Sequence, residues 1–223
     1  MRHRIASIHP LQPAMRAAQD AFRRHWPDAH CINLLDDSLP DDLRCAGPLD
    51  AGIRRRITTL LHYAAGLQVD GILFTGSGFG PLLDELAPAL GVPLLKPNQA
   101  MYDEAHALAA ARSGRLGMLV TFPEAAAAMQ QDFEASRPAG QPASRLEIAC
   151  APDALDRLLE GDPMEHNRLL AEAAAALRHC DAILLAQFSS AQAAPEVAAA
   201  SGLPVLTSPD SAVKKLRVLI EGR

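Results

Sequence analysis

The stretch Thr75-Gly76-Ser77-Gly78-Phe79-Gly80 sets three glycines at alternate positions directly after the apolar run "DGILF", where a strand would hand over to a helix. A turn of this kind exposes successive backbone N–H groups at a helix start, which suits a carboxylate or a phosphate. A dinucleotide fingerprint would open the first strand–helix unit, read GxGxxG and carry an acidic partner about 20 residues on. This loop instead follows the third strand-like run and reads GxGxG, and Lys96 stands at the acidic position. Main-chain anion binding is therefore the better reading. Ser77, with the N–H groups of Gly78 and Phe79, is the candidate carboxylate contact; the alternative is that Ser77 caps the helix. Thr75 faces the ligand or merely ends its strand. Gly76 permits close backbone approach and brings no reactive group.

Other groups able to do chemistry fall at comparable places. His9 ends the first strand-like run, and histidine has the side chain whose ordinary pKa suits acid–base work near neutrality; a structural histidine is the alternative. Thr121 follows the fifth run, and Gln187, Ser189 and Ser190 follow the seventh in "AQFSS". Each reads as a ligand contact or as a turn or helix cap. Asn98, after "LLKP", orients a ligand or caps the next helix, and Asp36 and Asp37 read as acidic loop surface. The four cysteines form no CxxC pair, and the eight histidines never fall three or four residues apart, so no metal site is expected.

The elements that must position these groups are short apolar runs alternating with amphipathic stretches: "RIASIH", "AHCINLL", "DGILFT", "VPLLK", "RLGMLV", "RLEIAC", "DAILLA" and "LPVLT". Runs this short and apolar suit strands buried on both faces of a parallel sheet, joined by helices. The chain also repeats itself. "RIASI" matches "RLGML", "DGILF" matches "DAILL" and "GVPLL" matches "GLPVL", each at an offset of 111 residues. The reading is an α/β fold of two pseudo-symmetric lobes, each a small parallel sheet flanked by helices and related by internal duplication. The first lobe spans 1–98 and the second 99–207. A C-terminal helix over 208–223, with an apolar stripe through Val213, Leu216 and Ile220, returns to the first. Ligands of open parallel sheets sit beyond the carboxyl ends of the strands, so the expected site is an interlobe cleft lined by the turns just named.

Composition narrows the partners. Nearly half the residues (49%) are hydrophobic and 4% aromatic, which fits Ala- and Leu-rich helices on a sheet. A net charge of -5 leaves no basic footprint for nucleic acid. No apolar run reaches the roughly 18 residues of a membrane span, and no signal peptide is evident at the start, so a cytoplasmic protein with reduced thiols is expected.

The segments "DGILFTGSGFGP", "LLKPNQAM", "RLGMLVTF", "DAILLAQFSSA" and "PVLTSPDSAV" together resemble the aspartate/glutamate racemase superfamily. That group includes amino-acid racemases, hydantoin racemase, maleate isomerase and arylmalonate decarboxylase. The resemblance implies the two-lobe fold, no metal or organic cofactor, a small carboxylate ligand and, since relatives are often dimers, a homodimer. It also implies a cysteine after the third strand of each lobe, one thiolate removing an α-proton and the other thiol returning one. Here those two positions are Gly76 and Gln187. Arylmalonate decarboxylase has glycine at the first position but cysteine at the second. The resemblance therefore implies a cofactor-independent protein of amino-acid or dicarboxylate chemistry in which two-thiol racemisation is doubtful. Decarboxylase or lyase activity, and carboxylate binding without catalysis, remain as alternatives. Cys45 and Cys150 follow second strands and are the thiols that could substitute, though they are not mates in the repeat.

Overall fold

A computed structural model describes residues 2–46, 50–77 and 79–222, the side chains of 44–46 and 124–125 excepted. The chain divides into two units, Met1–Pro97 with Ala212–Arg223, and Asn98–Ser211. All eight apolar runs are strands. The first unit runs β1 (Arg4–His9), α1 (Gln12–His25), β2 (His30–Leu35), α2 (Leu39–Ala46), α3 (Ala51–Gly66), β3 (Gly71–Phe74), α4 (Gly80–Leu86) and β4 (Leu94–Leu95). The second runs α5 (Gln99–Ala110), β5 (Arg115–Val120), α6 (Glu124–Ala135), β6 (Arg145–Cys150), α7 (Ala154–Leu159), α8 (Pro163–Ala174), β7 (Ala182–Leu185), α9 (Ala194–Ser201) and β8 (Val205–Thr207). Helix α10 (Ser208–Glu221) starts in the second unit and continues in the first.

Both sheets are parallel, with strand orders β2-β1-β3-β4 and β6-β5-β7-β8. The repeat extends to individual hydrogen bonds. Asp70 Oδ2 accepts the Arg4 N–H at 2.8 Å, and its mate Asp181 accepts the Arg115 N–H at 2.9 Å. Ile72 N–H donates to the Pro93 carbonyl at 2.8 Å, and Ile183 N–H to the Pro204 carbonyl at 2.9 Å. Each lobe thus starts its central strands with the same carboxylate latch.

Period-two alternation sends successive side chains of a strand to opposite faces. In β5, Met118 and Val120 pack with Met101, Tyr102 and Phe133 of α5 and α6, while Leu119 packs with Leu170 of α8 and Val197 of α9. In the first unit Ile8, Ile72 and Phe74 meet Ile53, Ile57 and Leu61 of α3, a stripe at helical spacing. Asp50 caps that helix by accepting the Ile53 N–H at 2.7 Å. Burial of each such side chain stabilises by about 1.5–3 kcal/mol. Gly71 is required by α10: a β-carbon there would come within 2.9 Å of Ile220 Cδ1 and 3.2 Å of Leu216 Cδ1. Among the described residues no helix is long and apolar enough to cross a membrane.

Candidate functional site

At the carboxyl end of the first sheet, β1 and β3 lie side by side, and the Thr75 N–H extends their ladder to the Ile8 carbonyl at 3.0 Å. This register brings the Thr75 hydroxyl 3.0 Å from His9 Nδ1, while His9 Nε2 lies 3.0 Å from Asn33 Oδ1 of β2. An amide oxygen only accepts, so Nε2 carries the proton and Nδ1 accepts from the Thr75 hydroxyl, which also lies 3.3 Å from the Ile8 carbonyl. Burial drives the His9 pKa down to about 4, the Asn33 hydrogen bond opposing it. His9 is therefore a neutral, fixed ring with both nitrogens engaged, unsuited to donating a proton at neutral pH. Asn33 is a site neighbour that strand spacing alone did not reveal.

Gly76 is closely covered. A β-carbon there would lie 2.8 Å from Pro10 Cγ, 2.9 Å from Phe74 Cε1 and 3.2 Å from Phe79 Cδ2. Phe74 and Phe79 meet edge to face at 5.5 Å, so the space next to Gly76 is occupied by rings instead of standing open. Ser77 is half-buried and makes no hydrogen bond to another described residue. It does not cap α4: Phe79 takes the cap position without a side-chain bond, and Pro81 lies in the first turn. Gly78 lies outside the described residues.

In the second unit the Thr121 N–H and hydroxyl both reach Gln187 Oε1, at 2.8 and 3.1 Å. Thr121 is therefore not a helix cap; α6 starts after Pro123. The Gln187 amide nitrogen has no partner among the described residues. Residues Phe188–Ala193 form a 3-10 turn, with the Ser190 N–H bonded to the Gln187 carbonyl at 3.0 Å. Neither serine caps α9, whose cap position is Ala193, with Pro195 in its first turn. The Ser189 carbonyl accepts from Gln192 at 3.4 Å, and the Ser190 hydroxyl is fully buried with no partner among the described residues.

Asn98 is linked through Ser208 to the end of β7, the Ser208 hydroxyl lying 3.4 Å from the Leu185 carbonyl. It occupies the cap position of α5, but its side chain accepts from Ser208 at 2.7 Å and donates to the Tyr102 hydroxyl at 3.3 Å. Asp36 pairs with Arg56: burial pushes its carboxyl up, but hydrogen bonds from Arg56 and Ser38 and the Arg56 charge outweigh this and hold it below the ordinary range. Cys150 packs beside Leu146 and Ile148 against the α5/α6 core, and burial pushes the Cys31 thiol up to about 11 despite the Arg2 charge. The Cys45 side chain lies outside the described residues. Among the described residues no three His, Cys, Asp or Glu side chains group so as to hold a metal ion.

A family model described as Asp/Glu/hydantoin racemase matches residues 14–216. Among solved structures, a glutamate racemase isoform from Bacillus anthracis is 11% identical at a TM-score of 0.73, over 99% of this chain and 82% of the other. Allantoin racemase from Pseudomonas fluorescens is 15% identical at 0.71, over 98% and 91%. Unliganded arylmalonate decarboxylase is 18% identical at 0.65, over 99% and 94%. At these identities the likeness is one of fold. Comparison with curated proteins gives no match.

Proposed function

Because this chain belongs to the Asp/Glu/hydantoin racemase family, we propose that it takes a small carboxylate, of amino-acid or dicarboxylate type, at the carboxyl ends of its sheet strands and without a cofactor. One observation carries the reading. Gly76 and Gln187 follow equivalent strands at the 111-residue offset, and neither brings an ionisable side chain. Proton abstraction from Cα needs a group of matched pKa on each face of the substrate; the family's thiol pair is replaced at both positions. Racemisation by two thiols is therefore not the activity assigned. Decarboxylation or elimination, with solvent water supplying or accepting the proton and the developing negative charge on oxygen met by fixed donors such as the Gln187 amide, suits these residues better. His9 then orients Thr75 and does not donate the proton.

A second reading, a carboxylate receptor without turnover, is favoured by the pinned state of His9 and Asp36. Incubation in D₂O with amino acids, hydroxy acids and malonates, followed by NMR, separates the readings. CO₂ release or elimination without Cα exchange supports the lyase. Thermal stabilisation by a carboxylate with no turnover supports the receptor. Cα exchange in the unmodified protein overturns both.

A further inference from the structure

Gln187 Oε1 receives two hydrogen bonds from one residue, the Thr121 N–H at 2.8 Å and the Thr121 hydroxyl at 3.1 Å. A backbone N–H can only donate, so the amide must turn its oxygen toward Thr121 and its NH₂ away. The reversed amide would set donor against donor and is disfavoured by about tenfold or more. Both side chains are buried, Gln187 at 6% exposure and Thr121 at 3%, and the Gln187 Nε2 has no partner among the described residues. The equivalent positions of the first unit are Pro10 and Gly76, which have neither the N–H nor the amide. The arrangement belongs to the second lobe alone.

We propose that Thr121 is a positioning residue that aims the Gln187 amide as a fixed two-hydrogen donor, so that position 187 selects an oxygen-bearing anion. This rests on the carboxylate reading above. It reassigns Thr121, whose own hydroxyl and N–H are engaged and do not touch the ligand. It also makes Gln187 the discriminating contact, because a charge-assisted bond to a carboxylate uses hydrogens that no other described residue accepts.

Oxalate serves as the probe, titrated calorimetrically into the full-length protein. Gln187→Glu keeps an oxygen to accept both Thr121 bonds; its buried charge lowers the melting temperature, so circular dichroism checks that the variant is folded at the titration temperature. Its outward oxygen faces the ligand's charge, and oxalate binding falls by more than about tenfold. Thr121→Val removes one of the two orienting bonds and weakens oxalate several-fold, and Thr121→Ser restores it. A side chain with a purely structural role would move the melting temperature and leave affinity unchanged. If Thr121→Val does not fold, Gln187→Glu decides alone. Undiminished oxalate binding by Gln187→Glu, or equal affinity of the Val and Ser variants, overturns the proposal while the carboxylate reading stands. An unmodified protein that binds neither oxalate nor any other small carboxylate overturns both.

Discussion

The Pro10 ring covers Gly76 so closely that a β-carbon built there would stand 2.8 Å from Pro10 Cγ. The corresponding pair in the other lobe, Thr121 and Gln187, is joined by hydrogen bonds instead. One topological contact has thus been built twice with different chemistry. In the first lobe proline removes the donor and glycine removes the acceptor, leaving van der Waals packing; in the second, both polar partners are present.

This packing limits any attempt to place a thiol at position 76. Gly76→Cys must displace Pro10, Phe74 or Phe79, and overpacking of this kind costs about 1–3 kcal/mol. In Pro10→Ala the Cγ contact is gone, so the same Gly76→Cys change costs less, and the difference appears as coupling in a double-mutant cycle measured by chemical denaturation. Gly76→Cys with Gln187→Cys does not establish Cα exchange, since the new thiol at 76 cannot take its place without moving those rings. Equal cost of Gly76→Cys with and without Pro10 would refute this.

His9 yields a prediction about pH. Its folded pKa is about 4, below the ordinary value of 6.5, so the unfolded chain binds a proton in a range where the folded one does not. The stabilisation is complete above about pH 6.5 and is lost as pH falls from there toward 4. From pH 7 to 5 His9 alone costs about 2 kcal/mol of stability. His106 and His166, which burial also shifts downward, the first opposed by a hydrogen bond to Phe133 and the second by one to Ala154, add to the same trend. His9→Gln should flatten the acid limb by about that amount in urea melts at the two pH values. An unchanged slope would show that His9 is not the group titrating.

The strands were legible because a short apolar run bounded by turn residues has one good explanation in a parallel sheet, and the 111-residue register let β1, β3 and β4 be checked against β5, β7 and β8. Residue partners across the sheet were harder to read. Asn98 holds the cap position of α5 without a side-chain cap bond, and Ser77, Thr121, Ser189 and Ser190 carry oxygen near the starts of α4, α6 and α9 yet cap none of them. The helices instead start at prolines: Pro81 and Pro195 lie in first turns and Pro123 directly precedes one. Proline has a fixed φ and no N–H to satisfy, so it opens a helix without a side-chain acceptor. That signal was in the sequence and would have freed these polar side chains for other partners. The Asn33 contact to His9 was not legible, because strand alternation gives the face of a side chain but not how far it reaches along it.

Asn98 illustrates the consequence. It is buried at 5% exposure and joins Ser208 to Tyr102, and the Ser208 hydroxyl also lies 3.4 Å from the Leu185 carbonyl. Asn98→Ala leaves the Ser208 hydroxyl with a poorer partner and a small void, a loss of about 1–3 kcal/mol. Asn98→Asp keeps the acceptor but buries a charge, and costs more at pH 8 than at pH 5 because protonation relieves it. Oxalate affinity in either folded variant stays at the unmodified value. A change in affinity without a change in stability would move Asn98 into the ligand site.

The carboxylate latches give a matched pair of measurements. Asp70 Oδ2 accepts the Arg4 N–H at 2.8 Å and lies 3.5 Å from His3 Nδ1, whereas Asp181 Oδ2 accepts the Arg115 N–H at 2.9 Å and both its oxygens lie 2.9 Å from the Ser113 hydroxyl. The backbone bond common to both is exposed, so Asp70→Ala and Asp181→Ala each cost about 0.5–1.5 kcal/mol. The Asp181 change should be the larger, because Ser113 loses its acceptor as well. The two latches share no partner and stand in separate units, so the double variant loses the sum of the two. A double-variant loss well below that sum, measured by urea denaturation at neutral pH, would mean that the repeated strands do not begin independently in the two lobes.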